Sequence, residues 1–235
     1  MIILAFDSTA KAASCAVLDG EKCLALYTID NGLTQSELLL PMAENMLRSL
    51  KMSFSDVDLF AAAVGPGSFT GVRIGVSLIK GLAFGTDTPC VGVSTIEALA
   101  ENLSPLDGIL VPCMDARRAQ VYSATFLSSG GEIKRLTDDR AIALSSLAEE
   151  LREYKDTPIY LSGDGYEVAK KALAQYGIIT KDTPPLLITE NAHSVGLVAK
   201  KMYERREFTS DREIAPTYLR LPQAERERLE REAGK

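Results

Sequence analysis

The stretch Leu59–Gly85, LFAAAVGPGSFTGVRIGVSLIKGLAFG, constrains the fold more than any other part of the chain. Six apolar residues, Leu59–Val64, predict a buried strand. Gly65-Pro66-Gly67 ends it in a tight turn, Ser68 follows, and a long apolar helix is predicted from about Thr70 to Phe84. Such a turn lets backbone approach a neighbour closely. It also leaves the peptide N–H groups of Ser68–Gly71 at a helix N-terminus, where an anion or an acidic side chain is favoured. This is not a Walker A loop, because no Gly-Lys-Ser/Thr follows the glycines. Gly65, Gly67 and Gly71 also miss the G-x-G-x-x-G spacing, and the next strand, Pro89–Val93, ends without an acidic residue to hold a ribose. A plain strand-to-helix turn therefore stands beside the ligand reading. Within the helix, Gly71 and Gly75 are four apart, as are Gly81 and Gly85. Each glycine costs a soluble helix about 1 kcal/mol, so the spacing predicts another backbone against that face.

At 235 residues the chain fits one domain or two small ones, and 46% hydrophobic residues suffice for a packed core. A net charge of −6 argues against gripping a nucleic acid backbone unaided. Cys15, Cys23, Cys90 and Cys113 are scattered among apolar residues with no C-x-x-C, which predicts buried free thiols in a reducing cytoplasm. The opening MIILAFDS lacks a basic region, and no apolar run is long enough for a bilayer, so neither a signal peptide nor a membrane span is expected. The single histidine, His193, opposes a His-dependent triad, a His-rich zinc site or an H-E-x-x-H protease. Near the start of a predicted helix, it reads as a surface or capping residue.

The chain opens with strands Ile2–Asp7, Ala12–Leu18 and Lys22–Ile29, the last two joined by the hairpin signal Asp19-Gly20. A capping box, Thr34–Glu37, starts a helix to Leu50, and a second, Ser53–Asp56, precedes the strand Leu59–Val64. After the glycine loop come the strand Pro89–Val93 and a helix capped by Ser94–Glu97, ending near Ser104-Pro105. The second half repeats this order. Strands Ile109–Met114, Ala119–Ser128 and Glu132–Leu136 lead to a helix capped by Ser146–Glu149. The strand Ile159–Leu161, the helix Tyr166–Tyr176, the short strand Leu186–Ile188 and the helix Ala192–Arg206 follow.

Each half thus reads three strands, helix, strand, helix, strand, helix, with little shared sequence. Two such halves match the actin, Hsp70 and sugar-kinase architecture: an α/β fold of two mixed-sheet subdomains with right-handed crossovers. The expected division is 1–103, a smaller 104–221, and a charged helical tail, 222–235, with no apolar face to pack. In this architecture the first hairpins face a nucleotide phosphate. That predicts a cleft between Asp7-Ser8-Thr9 and Asp115-Ala116-Arg117. The plainer reading is that both aspartates cap turns. The short second half leaves little room for an adenosine pocket.

Four segments carry a more specific resemblance: ILAFDST at the N-terminus, GPGSFTGVRIG (Gly65–Gly75), DARRAQVY (Asp115–Tyr122) and PTYLR (Pro216–Arg220). In this order, over Ile2–Arg220, they resemble the TsaB (formerly YeaZ) family of the Kae1/TsaD superfamily. The resemblance implies an actin-like fold and a part in making threonylcarbamoyladenosine next to the tRNA anticodon. The family member is a non-catalytic scaffold that keeps TsaD competent, and the ATPase TsaE binds the pair. TsaD-like proteins carry a metal-binding H-x-x-x-H on the first long helix. Here TQSELLLPMAENML has no histidine, and Gln35-Ser36-Glu37 stands where relatives often have His-Ser-Glu. No catalytic residue and no metal ligand are therefore expected. No cofactor is required; weak ATP or ADP binding at the inter-subdomain cleft or the partner interface is compatible with this reading.

The first long helix is apolar around much of its circumference. Leu39, Met42 or Ala43, Met46 and Leu50 suffice for one core stripe, leaving Leu38, Leu40 and Leu47 over. A deeply buried helix is the competing reading. The expected TsaD interface combines Gln35, Leu38, Leu40, Met42 and Leu47 with Gly71, Arg73, Gly75 and Leu78 of the glycine-loop helix, on a structural loop of Gly65, Pro66, Gly67 and Ser68. Alone, the same patch is expected to form a homodimer. Contact with tRNA is expected only through TsaD. Rival readings are an actin-fold nucleotide-binding protein or small kinase acting alone, a peptidase, which the missing histidines oppose, and a Rossmann oxidoreductase, which the glycine spacing opposes.

Overall fold

A computed structural model describes residues 1–220, so the expected tail 222–235 lies outside the described residues. The first half forms β1 (Ile2–Asp7), β2 (Ala13–Asp19), β3 (Lys22–Ile29), α1 (Gln35–Ser49), β4 (Leu59–Gly65), α2 (Phe69–Ala83), β5 (Cys90–Ser94) and α3 (Thr95–Asn102). The sheet order is β3-β2-β1-β4-β5. The first three strands are an antiparallel meander; β4 and β5 add parallel to β1. The local signals act as expected. Thr34 N–H donates to Glu37 Oε2 at 3.0 Å, Ser53 N–H donates to Asp56 Oδ2 at 2.7 Å, and Ser94 Oγ accepts Glu97 N–H at 3.3 Å.

The second half forms β6 (Gly108–Asp115), β7 (Gln120–Ser123), β8 (Phe126–Ser129), β9 (Glu132–Arg135), β10 (Arg140–Ala143), α4 (Leu144–Leu151), β11 (Ile159–Ser162), α5 (Tyr166–Gln175), α6 (Pro185–Ile188) and α7 (Ala192–Glu204). β7 and β8 share one antiparallel register along β6, so they are the expected second strand, interrupted at Ala124-Thr125. The third strand is broken opposite, into β9 and β10. The two breaks are pinned to each other. Thr125 O accepts Leu136 N–H at 2.8 Å, and Thr125 N–H donates to Thr137 Oγ1 at 2.9 Å. β11 pairs parallel on the other side of β6.

Two expectations fail here. Leu186–Ile188 is not a strand. Pro184-Pro185 starts a one-turn helix, α6, with a proline at its first position, where the missing N–H costs nothing. The second sheet therefore has no counterpart of β5. Nor does Ser146 cap α4, whose N-cap is Ala143, three residues earlier.

Each half still begins with an antiparallel hairpin and adds parallel strands through helical crossovers, so the fold is the actin-like duplicated α/β arrangement. Both faces of β1 are buried, which explains its unbroken apolar run. Leu4 and Phe6 face α1 and α2 with Met46 and Ile79; Ile3 and Ala5 face α7 with Val195 and Ala199. On the second sheet, Ile109 and Val111 face α4 and α5, whereas Leu110 and Met114 face α3 with Ile96 and Leu99. The layers run α1/α2, first sheet, α3/α7, second sheet, α4/α5. The expected division after residue 103 follows strand order but not packing. α7 lies on the first sheet, Thr209 bridges to Cys90, and Thr217 N–H donates to Val64 O at 2.8 Å.

Cys15, Cys90 and Cys113 are buried free thiols, but Cys23 on the edge strand β3 is exposed. Among the described residues, no helix is long and apolar enough to cross a membrane.

Candidate functional site

The glycine loop is built against the chain itself. A Cβ on Gly67 would sit 2.4 Å from Thr9 O, one on Gly71 1.9 Å from Ser8 O, and one on Gly75 2.7 Å from Ser8 Oγ. Ser8 Oγ donates to Gly71 O at 2.8 Å, and Ser68 N–H donates to Thr9 O at 2.7 Å. The glycine spacing does mark a close backbone approach, but the neighbour is the Ser8-Thr9 turn. Gly71 and Gly75 are therefore buried inside the subdomain, and their assignment to an outward interface is corrected. Gly65, at φ +110°, faces Thr217 O, which a Cβ would meet at 2.7 Å. Pro66 follows through a cis peptide bond.

Two further residues of the expected interface move. Met42 and Leu47 are buried with Leu39, Ala43 and Met46, because the core-facing arc of α1 is wider than a single stripe. Leu38 is half-buried against the same core. The Gln35 amide donates to Ala10 O at 2.9 Å and Lys11 O at 3.2 Å, tying α1 to the first hairpin.

What stays open is a groove of about 550 Å³ between α1 and α2, lined by Leu39, Leu40, Phe69, Arg73, Ile74 and Leu78, with Ser36, Thr70 and Ser77. Leu40 and Phe69 are each 38% exposed. Phe69, Ile74 and Ser77 were not singled out from sequence; they sit four residues from Arg73, Leu78 and Arg73, the spacing of one helix face. At one rim the Phe69 and Tyr218 rings stack with centroids 5.1 Å apart. The Arg73 guanidinium lies 3.8 Å over Phe69, and its Nε donates to Tyr218 Oη at 2.8 Å. The PTYLR segment is thus part of the rim.

The second concavity, of about 410 Å³, lies between the halves. Ala10–Ala12, Asp115, Arg117, Gly163, Asp164, Ile188 and Glu190 line it, with Asp30 and Glu167. The expected cleft is shifted. Asp115 and Arg117 line it, but Asp7, Ser8 and Thr9 are buried beneath the glycine loop. Asp7 Oδ1 accepts both Thr9 N–H and Thr9 Oγ1–H, so Asp7 is a plain turn cap. Arg117 pairs with Asp115 at 3.1 Å; Arg117, Arg118 and Ala119 all take left-handed backbone, φ +54° to +63°.

Glu190 and Asp164 are the residues that local sequence did not reveal. Asp164 N–H donates to Glu190 Oε1 at 2.8 Å, and Asp115 N–H donates to Asp164 Oδ1 at 2.8 Å. Glu190 is only 5% exposed. Burial, then the nearby Asp7 charge, pushes its carboxyl up to about 8. Burial also raises Asp7 and Asp164. A carboxyl raised in the folded state is neutral in both states below its ordinary value of 4.5, and is held protonated by folding up to about 8. Stability should therefore fall as pH rises from about 4.5 through about 8. Urea midpoints measured at pH 6 and pH 9 should drop for the native chain and stay flatter for Glu190→Gln.

Among the described residues, no group of three or more His, Cys, Asp or Glu side chains has metal-binding geometry. His193 sits at the second position of α7 and is lowered by burial, with Glu101 opposing.

Fold and surface together define an actin-like duplicated protein with an apolar helix-pair groove. Residues 34–228 match the family model described as TsaD, tRNA N6-adenosine threonylcarbamoyltransferase. The tRNA threonylcarbamoyladenosine biosynthesis protein TsaB of Bacillus subtilis is 31% identical over 98% of this chain and 99% of its own length. TsaB of Escherichia coli is 27% identical over 94% and 95%. A Pseudomonas aeruginosa crystal structure, described as an uncharacterized protein with similarity to peptidase YeaZ, superposes with a TM-score of 0.76 at 23% identity, covering 93% of this chain and 99% of that one. The chain belongs to the TsaD family and, within it, to the TsaB group.

Proposed function

We propose that this chain is a non-catalytic scaffold that docks TsaD through the α1–α2 face. With TsaD it binds the ATPase TsaE, and the assembly transfers threonylcarbamoyl to the tRNA adenosine beside the anticodon. The observation that carries this reading is the apolar groove, with exposed Leu40 and Phe69, in a chain of this family. Apolar surface of that kind on a soluble domain marks a protein partner. The expected interface is revised to Leu38, Leu40, Phe69, Arg73, Ile74 and Leu78. Without TsaD, the same groove pairs with a second copy. The net charge of −6 leaves tRNA contact to TsaD. Three buried free thiols suit the reducing cytoplasm.

The rival reading, a nucleotide-binding protein or kinase acting alone, meets an electrostatic obstacle. The inter-subdomain cavity presents Asp30, Asp115, Asp164 and Glu167, beside a protonated Glu190, against Lys11 and Arg117. A polyphosphate there faces net repulsion, which leaves at most weak ATP or ADP binding and no required cofactor.

Reconstituted transfer tests the proposal. With threonylcarbamoyl-adenylate and tRNA, this chain alone should yield no modified adenosine, and TsaD should yield far more with the chain than without it. Transfer by the chain alone would refute the scaffold reading.

A further inference from the structure

We infer that the α1–α2 groove receives a partner helix carrying a carboxylate that pairs end-on with Arg73. This rests on the docking reading above and adds the chemistry that selects the partner. Tyr218 Oη occupies Nε of Arg73 at 2.8 Å, so the guanidinium's side-on fork is taken. Phe69, 3.8 Å away, covers one face of the guanidinium plane. Among the described residues Arg73 forms no ion pair, and its Nη1 and Nη2 donors point to no acceptor. Two parallel donors held in one orientation fit the two oxygens of a carboxylate, and the pair is charge-assisted. Leu40, Ile74 and Leu78 on the adjoining wall require the same partner element to be apolar elsewhere. An apolar helix with one acidic residue meets both demands, because i and i+4 positions share a face.

The arrangement also assigns a role to the C-terminal strap. Thr217 N–H is fixed to Val64 O at 2.8 Å, which places Tyr218 over α2. Tyr218 is a positioning residue: it holds Arg73 still, so less side-chain entropy is lost when the carboxylate arrives. Arginine and tyrosine at the rim of an apolar pocket are the residue types that dominate binding energy.

The test is titration of full-length chain against TsaD from the same organism, with melting curves confirming that each variant folds. Arg73→Ala should weaken binding by about 30-fold or more, Arg73→Glu further, and Tyr218→Phe by a smaller factor. One acidic residue on an otherwise apolar helix face of TsaD, changed to lysine, should restore affinity to Arg73→Glu and to no other variant. If Leu78→Glu prevents binding while Arg73→Glu binds like the native chain, the groove stands and the carboxylate inference falls. Failure of the native chain to bind TsaD removes both. Residues 221–235 contain four glutamates. If deleting them tightens TsaD binding and removes the effect of Arg73→Glu, the carboxylate is the chain's own and the inference is overturned. It is overturned likewise if Arg73→Glu disrupts only the homodimer.

Discussion

Gly71→Ala is expected to lower stability by about 3 kcal/mol, the upper end of the usual cost of overpacking. The new methyl would lie 1.9 Å from Ser8 O, and a backbone carbonyl held between β1 and β2 has little freedom to retreat. The Ser8 Oγ to Gly71 O hydrogen bond would be strained with it. For a chain of this size each kcal/mol moves Tm by about 2–4 °C, so a drop near 10 °C is expected. Gly81→Ala is the internal contrast. It lies in the same helix, and beyond its own helical turn nothing comes within 4 Å of its Cβ position, so alanine there should be stabilising, by up to about 1 kcal/mol. Differential scanning calorimetry of the two variants checks both signs. Equal behaviour would contradict the packing of α2 on the first hairpin turn.

The second large effect concerns the groove. Leu40→Glu combined with Leu78→Glu should weaken TsaD binding by at least about 100-fold, because docking would bury two charges without partners. Both positions are at least partly open, so the melting temperature should change little. The loss of the complex without loss of fold separates this face from the glycines. A substitution at Gly75, 2.7 Å from Ser8 Oγ, acts through the fold instead.

Much of the first half was legible because its signals are local. Capping boxes, the Asp19-Gly20 hairpin and an apolar strand run into a glycine turn each depend on a few neighbouring residues. The duplication was visible as element order even without shared sequence. The wrong assignments have physical causes. One stripe leaves Leu47 over and holds only one of Met42 and Ala43, whereas α1 packs a broad arc that buries all three against β2 and α2. Gly71 and Gly75 correctly marked a backbone approach, but periodicity does not say whose backbone. Leu186–Ile188 is apolar enough for a strand, and the two prolines before it decide for a helical turn. Glu190 and Asp164 escaped notice because the groups that act on them lie far away in sequence: the Asp7 charge beside Glu190, and the Asp115 N–H that donates to Asp164. The Arg73–Tyr218 bond spans 145 positions, so no local pattern foretells it.

Docking of TsaD through the α1–α2 groove is what the proposed scaffold role requires. The most direct test is the mass in solution, by light scattering after size exclusion, of the native chain mixed with TsaD from the same organism, with the Leu40→Glu/Leu78→Glu variant alongside. The native chain should leave its own dimer and enter a complex with TsaD, and the variant should remain apart. A complex formed equally well by both would place the interface elsewhere. No complex with the native chain, with or without ATP and TsaE, would contradict the scaffold role.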